Sequence, residues 1–145
     1  MGFPATWRGS GEGWGVADRY LLDSDVLIWV LRNRRDTVEM LERLSNECPE
    51  PLACSSLSVL EIWAGVKPGE TEKTAQLFEG IDVIPVDSVV ARRAASLLAG
   101  RKRRDPREWI DALIAATALK YGMTLVTYNR KDYPYRGIAL YPTSL

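Results

Sequence analysis

The stretch "WIDALIAATALKYGMTLVTY", residues 109–128, decides the fold. As far as Tyr121 it is apolar on nearly every side, which suits a helix packed against more than one neighbour. Gly122 then stops the helix, and "MTLVTY" follows at once as a strand. A helix delivered through one glycine into a strand is half of a crossover unit, so its sheet is expected to be parallel. Asp111 is out of place in this helix, because burying a lone carboxylate is costly unless something pairs with it. Nor is it needed as a cap. The preceding "RKRRDPREW" supplies Asp105 as N-cap, Pro106 at the first helical position and Glu108 to complete a capping box.

Outward from this stretch, strands and helices alternate. "YLLDSD" opens as a buried strand and "VLIWVLRN" suits a helix, while Val38, Leu41 and Leu44 mark another helix over 36–46. "PLACSS" reads as the second strand, with the helix "LSVLEIWAGV" after it. "TEKTAQLFEG" is helical and ends on Gly80, and "IDVIPV" is the third strand. In "DSVVARRAASLLAG", Val90, Ala94, Leu97 and Leu98 share one helical face, and the helix ends at Gly100. "GIALYP" closes the chain as a last strand. This is the pattern of an α/β domain whose parallel sheet is covered on both faces.

Such a sheet gives Asp111 its company. Crossover helices run antiparallel to the strands, so strand ends and helix starts share one edge, where open α/β sheets place their sites. Asp23 ends the first strand, and Glu61 lies early in the helix after the second. Asn129 and Asp132 follow the fourth strand. Like charges gathered there repel by about 4 kcal/mol per pair at roughly 4 Å and an effective dielectric of about 20. Left alone, some would hold a proton; a divalent cation reverses the interaction. Oxygen-only ligands suit Mg²⁺ or Mn²⁺, ions that activate water and neutralise a phosphoryl group.

Composition narrows the chemistry further. The chain has 145 residues, 46% hydrophobic and 26% charged, which describes one globular domain with a sizeable core. Lys plus Arg and Asp plus Glu both number 19, so any nucleic-acid contact must come from local patches. There is no histidine, which removes Ser-His-Asp and Cys-His catalysis and histidine metal sites. Cys48 and Cys54 fit no metal-ligand spacing and read as thiols in a reducing cytoplasm. No apolar run approaches the roughly 20 residues of a membrane span. Residues 1–19, "MGFPATWRGSGEGWGVADR", have no apolar signal core and are expected to form a flexible extension ahead of a domain over 20–145. Trp7 and Trp14 in that extension are candidate docking contacts.

From Tyr20 onward the sequence resembles PIN-domain ribonucleases of the VapC toxin type. "YLLDSDVLI" resembles the opening strand and Asp-containing turn of that family, and "SSLSVLEIWAGV" the segment that carries its Glu. "DALIAATALKYGMTLVTYNRKDY" is similar to its Asp-bearing helix, strand and Thr-x-Asn-x-x-Asp turn. The resemblance implies a three-layer α/β/α PIN-like fold with a five-stranded parallel sheet in order 3-2-1-4-5. It implies a Mg²⁺- or Mn²⁺-dependent endoribonuclease that forms homodimers. The implied protein partner is an antitoxin whose segment covers a groove and can reach the acidic pocket with an arginine. Carried over by position, Asp23, Glu61, Asp111 and Asp132 are the metal-binding and catalytic acids. Some relatives have an acid where this chain has Asn129, which can still ligate through its carbonyl or hold a metal-bound water. Asp25 stands where Asn or Ser is more usual, and Ser24 and Thr127 are candidates to hold acids or waters. Arg130 and Lys131, and from the first helix's end Arg32, Arg34 and Arg35, are candidate contacts to RNA phosphates.

Each residue also has a plainer reading. Asp23 could cap the next helix, Glu61 could form a capping box with Ser58, and Asn129 and Asp132 could be solvated turn residues. Trp29 and Trp63 suit core or dimer packing better than base stacking. Two rival functions remain. A haloacid dehalogenase-type phosphatase would use Asp23 as nucleophile and Asp25 as acid/base, but it needs a Gly-Asp pair that the chain lacks. A PIN-like binding module with a degenerate site is kept open by Asn129.

Overall fold

The computed structural model describes residues 19–101 and 105–143. The expected extension therefore lies outside the described residues, except for Arg19, which belongs to the first strand and pairs with Met123. In chain order the elements are β1 (Arg19–Leu22), α1 (Ser24–Leu31), α2 (Arg35–Glu47), β2 (Ala53–Ser55), α3 (Ser56–Ala64), α4 (Thr71–Glu79), β3 (Asp82–Ile84), α5 (Ser88–Leu98), α6 (Pro106–Tyr121), β4 (Met123–Val126) and β5 (Ala139–Leu140), with a 3₁₀ turn at Arg130–Asp132. The strands form one parallel sheet in the order β3-β2-β1-β4-β5, as expected. No helix among the described residues is long and apolar enough to cross a membrane.

The central strands are buried on both faces, which is why they lack polar alternation. Successive side chains point to opposite sides of a strand. Leu21, Ala53 and Leu125 accordingly join Val90, Ala94 and Leu98 of α5 and the alanines of α6 in one core. Leu22, Cys54 and Val126 enter the other, with Val26, Leu27 and Val30 of α1, Met40, Leu41 and Leu44 of α2, Ile62 and Leu77. The result is a three-layer sandwich. Ala112, Ala115, Ala116 and Ala118 are all buried, and their small side chains let α6 lie close to its neighbours.

Side-chain caps fix the starts of α1, α3 and α6. The backbone N–H of Asp23 donates to the Val126 carbonyl at 2.9 Å, extending the β1–β4 contact to the residue that begins the turn. The Asp23 side chain then caps α1. The hydroxyl of Ser55 caps α3 by accepting from the Leu57 amide, so the alternative reading of a Ser58–Glu61 capping box does not hold. Ser58 lies inside the helix instead. Asp105 caps α6 as expected, accepting from the amides of Arg107 and Glu108, with Pro106 in the first turn. Its capping box is also absent, because the Glu108 carboxylate is drawn to Arg101 at 2.9 Å. Gly122 adopts φ 64° and turns α6 directly into β4. Gly80 closes α4 with an ordinary negative φ, without the left-handed turn that Gly122 uses.

Asp105→Ala removes the one side-chain oxygen that accepts from both the Arg107 and Glu108 amides and should cost about 1 kcal/mol of stability, measured by urea unfolding. An unchanged midpoint would show that the helix start is held by other contacts.

Candidate active site

Four segments deliver acidic side chains to the carboxyl edge. Asp23 is buried, and both its oxygens are occupied. Oδ1 accepts from the Ser24 amide at 2.8 Å, and Oδ2 accepts from the hydroxyls of Thr127 at 2.8 Å and Tyr133 at 2.9 Å. Thr127 is held in turn by the Asn129 amide, which donates to its hydroxyl at 3.0 Å. Asp111, half-buried on α6, has its Oδ1 3.4 Å from the same Tyr133 hydroxyl. The exposed Glu61 accepts from Ser24 at 2.6 Å, while Ser24 Oγ also lies 2.8 Å from Ser58 Oγ. Asp132 is exposed at the end of the 3₁₀ turn, and its charge acts on both Asp23 and Asp111.

Asp25 has a different setting. Its Oδ2 accepts from the Tyr128 amide at 3.0 Å and from the Asn129 side-chain amide at 3.1 Å, tying α1 to the segment after β4. Its Oδ1 is buried and has no hydrogen-bond partner. The backbone N–H of Asn129 thus serves Thr127 and its side-chain N–H serves Asp25. Ser24 donates to Glu61, and Thr127 donates to Asp23. Arg130 and Lys131 are exposed on the 3₁₀ turn.

The other basic candidates are engaged elsewhere. Arg34 pairs with Asp36 at 2.7 Å and lies over the Trp29 ring at 5.0 Å. Arg32 also lies over Trp29, and Arg35 sits 4.0 Å from Glu39. Of the run 101–104, only Arg101 is among the described residues. Trp63 packs against Phe78 and keeps part of its surface exposed.

Sequence reasoning missed Tyr133. The ring is 2% exposed and sits in the α5–α6 core while its hydroxyl reaches the acids. Its position directly after Asp132 was the only signal, and an aromatic there reads simply as core.

Electrostatically the pocket is uncompensated. Among the described residues, none of the ion pairs involves Asp23, Asp25, Glu61, Asp111 or Asp132. Burial pushes the Asp23 carboxyl up, outweighing the donations it receives from Thr127, Tyr133 and Ser24, and Asp132 adds to the rise. Burial and then the charge of Asp23 push Asp25 up to about 6. Burial, followed by the charges of Asp23 and Asp132, pushes Asp111 up to about 7, with Glu61 contributing further. Burial and the neighbouring carboxylates push the Tyr133 phenol upward, so it remains a proton donor.

Among the described residues, no three acidic or thiol side chains stand together as a ready-made metal-ligand group. Hydrogen bonds from hydroxyls and amides hold the acids instead. The donor chemistry nevertheless fits a hard cation: oxygens only, mutually repelling, with no ion pair among the described residues to offset their charge.

A family model described as "PIN domain" matches residues 20–135. Ribonuclease VapC10 from Mycobacterium tuberculosis is 35% identical over 115 residues, spanning 79% of this chain and 85% of that protein. Ribonuclease VapC19 from the same organism is 31% identical over 116 residues, spanning 79% of this chain and 91% of that protein. A solved toxin-antitoxin complex from Klebsiella pneumoniae contains a chain of similar fold. Its TM-score is 0.72 at 25% identity, covering 87% of this chain and 99% of that one.

A carboxyl whose pKa is higher in the folded than in the unfolded chain binds its proton more tightly when folded. Its contribution is present at low pH and is lost as pH rises through the folded value, here about 6 for Asp25 and about 7 for Asp111. Chelator-treated protein should therefore melt at a lower temperature at about pH 8 than at about pH 5.5. Asp111→Asn should flatten that slope, and Mn²⁺ should restore the melting temperature at the higher pH. A melting temperature indifferent to pH across this window would contradict the electrostatics.

Proposed function

The chain belongs to the PIN-domain family, and from that premise we propose that it is an endoribonuclease, the toxin of a VapBC-type toxin–antitoxin pair. The observation that carries this reading is the acidic cluster at the carboxyl edge, where the Tyr133 hydroxyl touches both Asp23 and Asp111 and, among the described residues, no ion pair offsets the acids. Asp23, Glu61, Asp111 and Asp132 are the residues that would hold Mg²⁺ or Mn²⁺. Such an ion, when bound, supplies positive charge against a developing phosphoryl transition state and makes water more acidic.

The chain's own residues supply order. Thr127 and Tyr133 hold Asp23 from one side and Ser24 holds Glu61 from another. Asp25, through the Tyr128 and Asn129 amides, anchors the segment that leads into the 3₁₀ turn. That turn presents Arg130 and Lys131 beside Asp132, where their cationic heads would take flanking RNA phosphates. Asp25 acts here as an anchor. The phosphatase reading would need it free as an acid/base.

The protein partner in this reading is an antitoxin, since a chain of similar fold belongs to a toxin-antitoxin complex. Leu60 and Trp63, three residues apart on α3, are exposed and offer apolar area for that partner. Homodimerisation and a cytoplasmic setting belong to the same proposal.

Purified protein incubated with structured RNAs should cleave them internally with Mn²⁺ or Mg²⁺ and not with chelator. Asp111→Asn should lower the rate by about 100-fold or more while the fold is kept. Full metal-dependent cleavage by Asp111→Asn would remove that residue from the site. A wild-type protein that binds RNA or a protein partner but cuts nothing with any divalent ion would be a degenerate binding module instead.

A further inference from the structure

The geometry points to Tyr133 as a positioning residue of the cation site: a buried, neutral hydroxyl placed between Asp23 and Asp111 sets the two carboxylates before the ion arrives. The inference rests on the proposed metal-dependent reading of that pocket and concerns a residue that reading does not require.

Three observations carry it. The Tyr133 hydroxyl lies 2.9 Å from Asp23 Oδ2 and 3.4 Å from Asp111 Oδ1, so one oxygen contacts acids from the end of β1 and from α6. The ring is locked in the α5–α6 core at 2% exposure, so the hydroxyl cannot swing away as a surface residue could. Finally, no ion pair among the described residues restrains either carboxylate.

A hydroxyl has one proton and can donate to one acid at a time. The shorter distance assigns it to Asp23, and the oxygen then acts as a spacer to Asp111. A lysine in the same place would hold both acids more strongly, but it would supply the positive charge that the site reserves for the cation. A phenylalanine would fill the core equally well and restrain nothing. Tyrosine fixes direction without spending charge.

Tyr133→Phe keeps the ring and removes only the hydroxyl. Mn²⁺ binding to RNA-free protein, followed by electron paramagnetic resonance, should weaken by about 10- to 100-fold, with an altered spectrum for the bound ion. The far-UV circular dichroism should be unchanged. Tyr135→Phe, which removes the phenol beside Arg101 in the same segment, should bind Mn²⁺ like the wild type. Equal affinity and spectrum in Tyr133→Phe and wild type would overturn the assignment.

If Tyr133→Phe does not fold, 3-fluorotyrosine at this position keeps the hydroxyl in an otherwise unaltered chain. Its ¹⁹F resonance should shift as Mg²⁺ saturates the site, and an unmoved resonance would overturn the assignment. A wild-type protein that binds no Mn²⁺ would instead sink the metal-site reading itself.

Discussion

Negative charge without a counter-charge is the constraint around which this structure is arranged. Acids from β1, α3, α6 and the turn after β4 act on one another across the carboxyl edge. Lysine and arginine are as numerous as the acids in the whole chain, yet none forms an ion pair with this group among the described residues. Repulsion of this kind raises carboxyl pKa values, and at neutral pH it is relieved either by protons or by a cation. Both routes stabilise the same cluster, and they compete.

The groups that touch these acids are hydroxyls and amides. Ser24, Thr127 and Tyr133 donate hydrogen bonds and leave the net charge of the pocket untouched. Such donors restrain a carboxylate's direction, whereas a salt bridge would also cancel its charge and its attraction for a metal. Behind them lie two apolar layers that fix the backbone on either side of the sheet. The acids therefore stand on rigid elements, with Asp23 pinned by its amide to Val126 and Asp111 one turn and a half into a capped helix. Rigid support matters because a loosely held carboxylate gives up part of its affinity to ordering cost.

Several residues were legible in the sequence. Asp111 stood out because an apolar helix with its cap already supplied had no use for it. Asp23 was marked by its place at a strand end, Ser24 by its place between Asp23 and Asp25, and Thr127 by the Thr-x-Asn-x-x-Asp turn of the family it resembles. Glu61 was ambiguous, because Ser58 three residues earlier imitates a capping box; only the true cap at Ser55 resolves it. Glu108 misled in the same way, since Arg101, seven residues away, offered a full charge where the helix start offered a backbone amide. The roles of Tyr133 and Asp25 could not be read from the pattern of the chain. Tyr133 reaches Asp23 across 110 residues, and Asp25 reaches the Tyr128 amide across 103.

The sequence by itself determined the alternation of strands and helices, the parallel sheet and the edge at which its acids would gather. Those follow from hydrophobic period, turn residues and the antiparallel run of crossover helices, all of which are local or topological. Tertiary structure alone decided which oxygen faces which donor. It turned Asp25 toward the Tyr128 and Asn129 amides and left its other oxygen without a partner, and it brought the Tyr133 hydroxyl to Asp23 and Asp111. The physical reason is that hydrogen bonds depend on distance and direction at the scale of an ångström, and periodicity in a chain specifies only which face a side chain occupies.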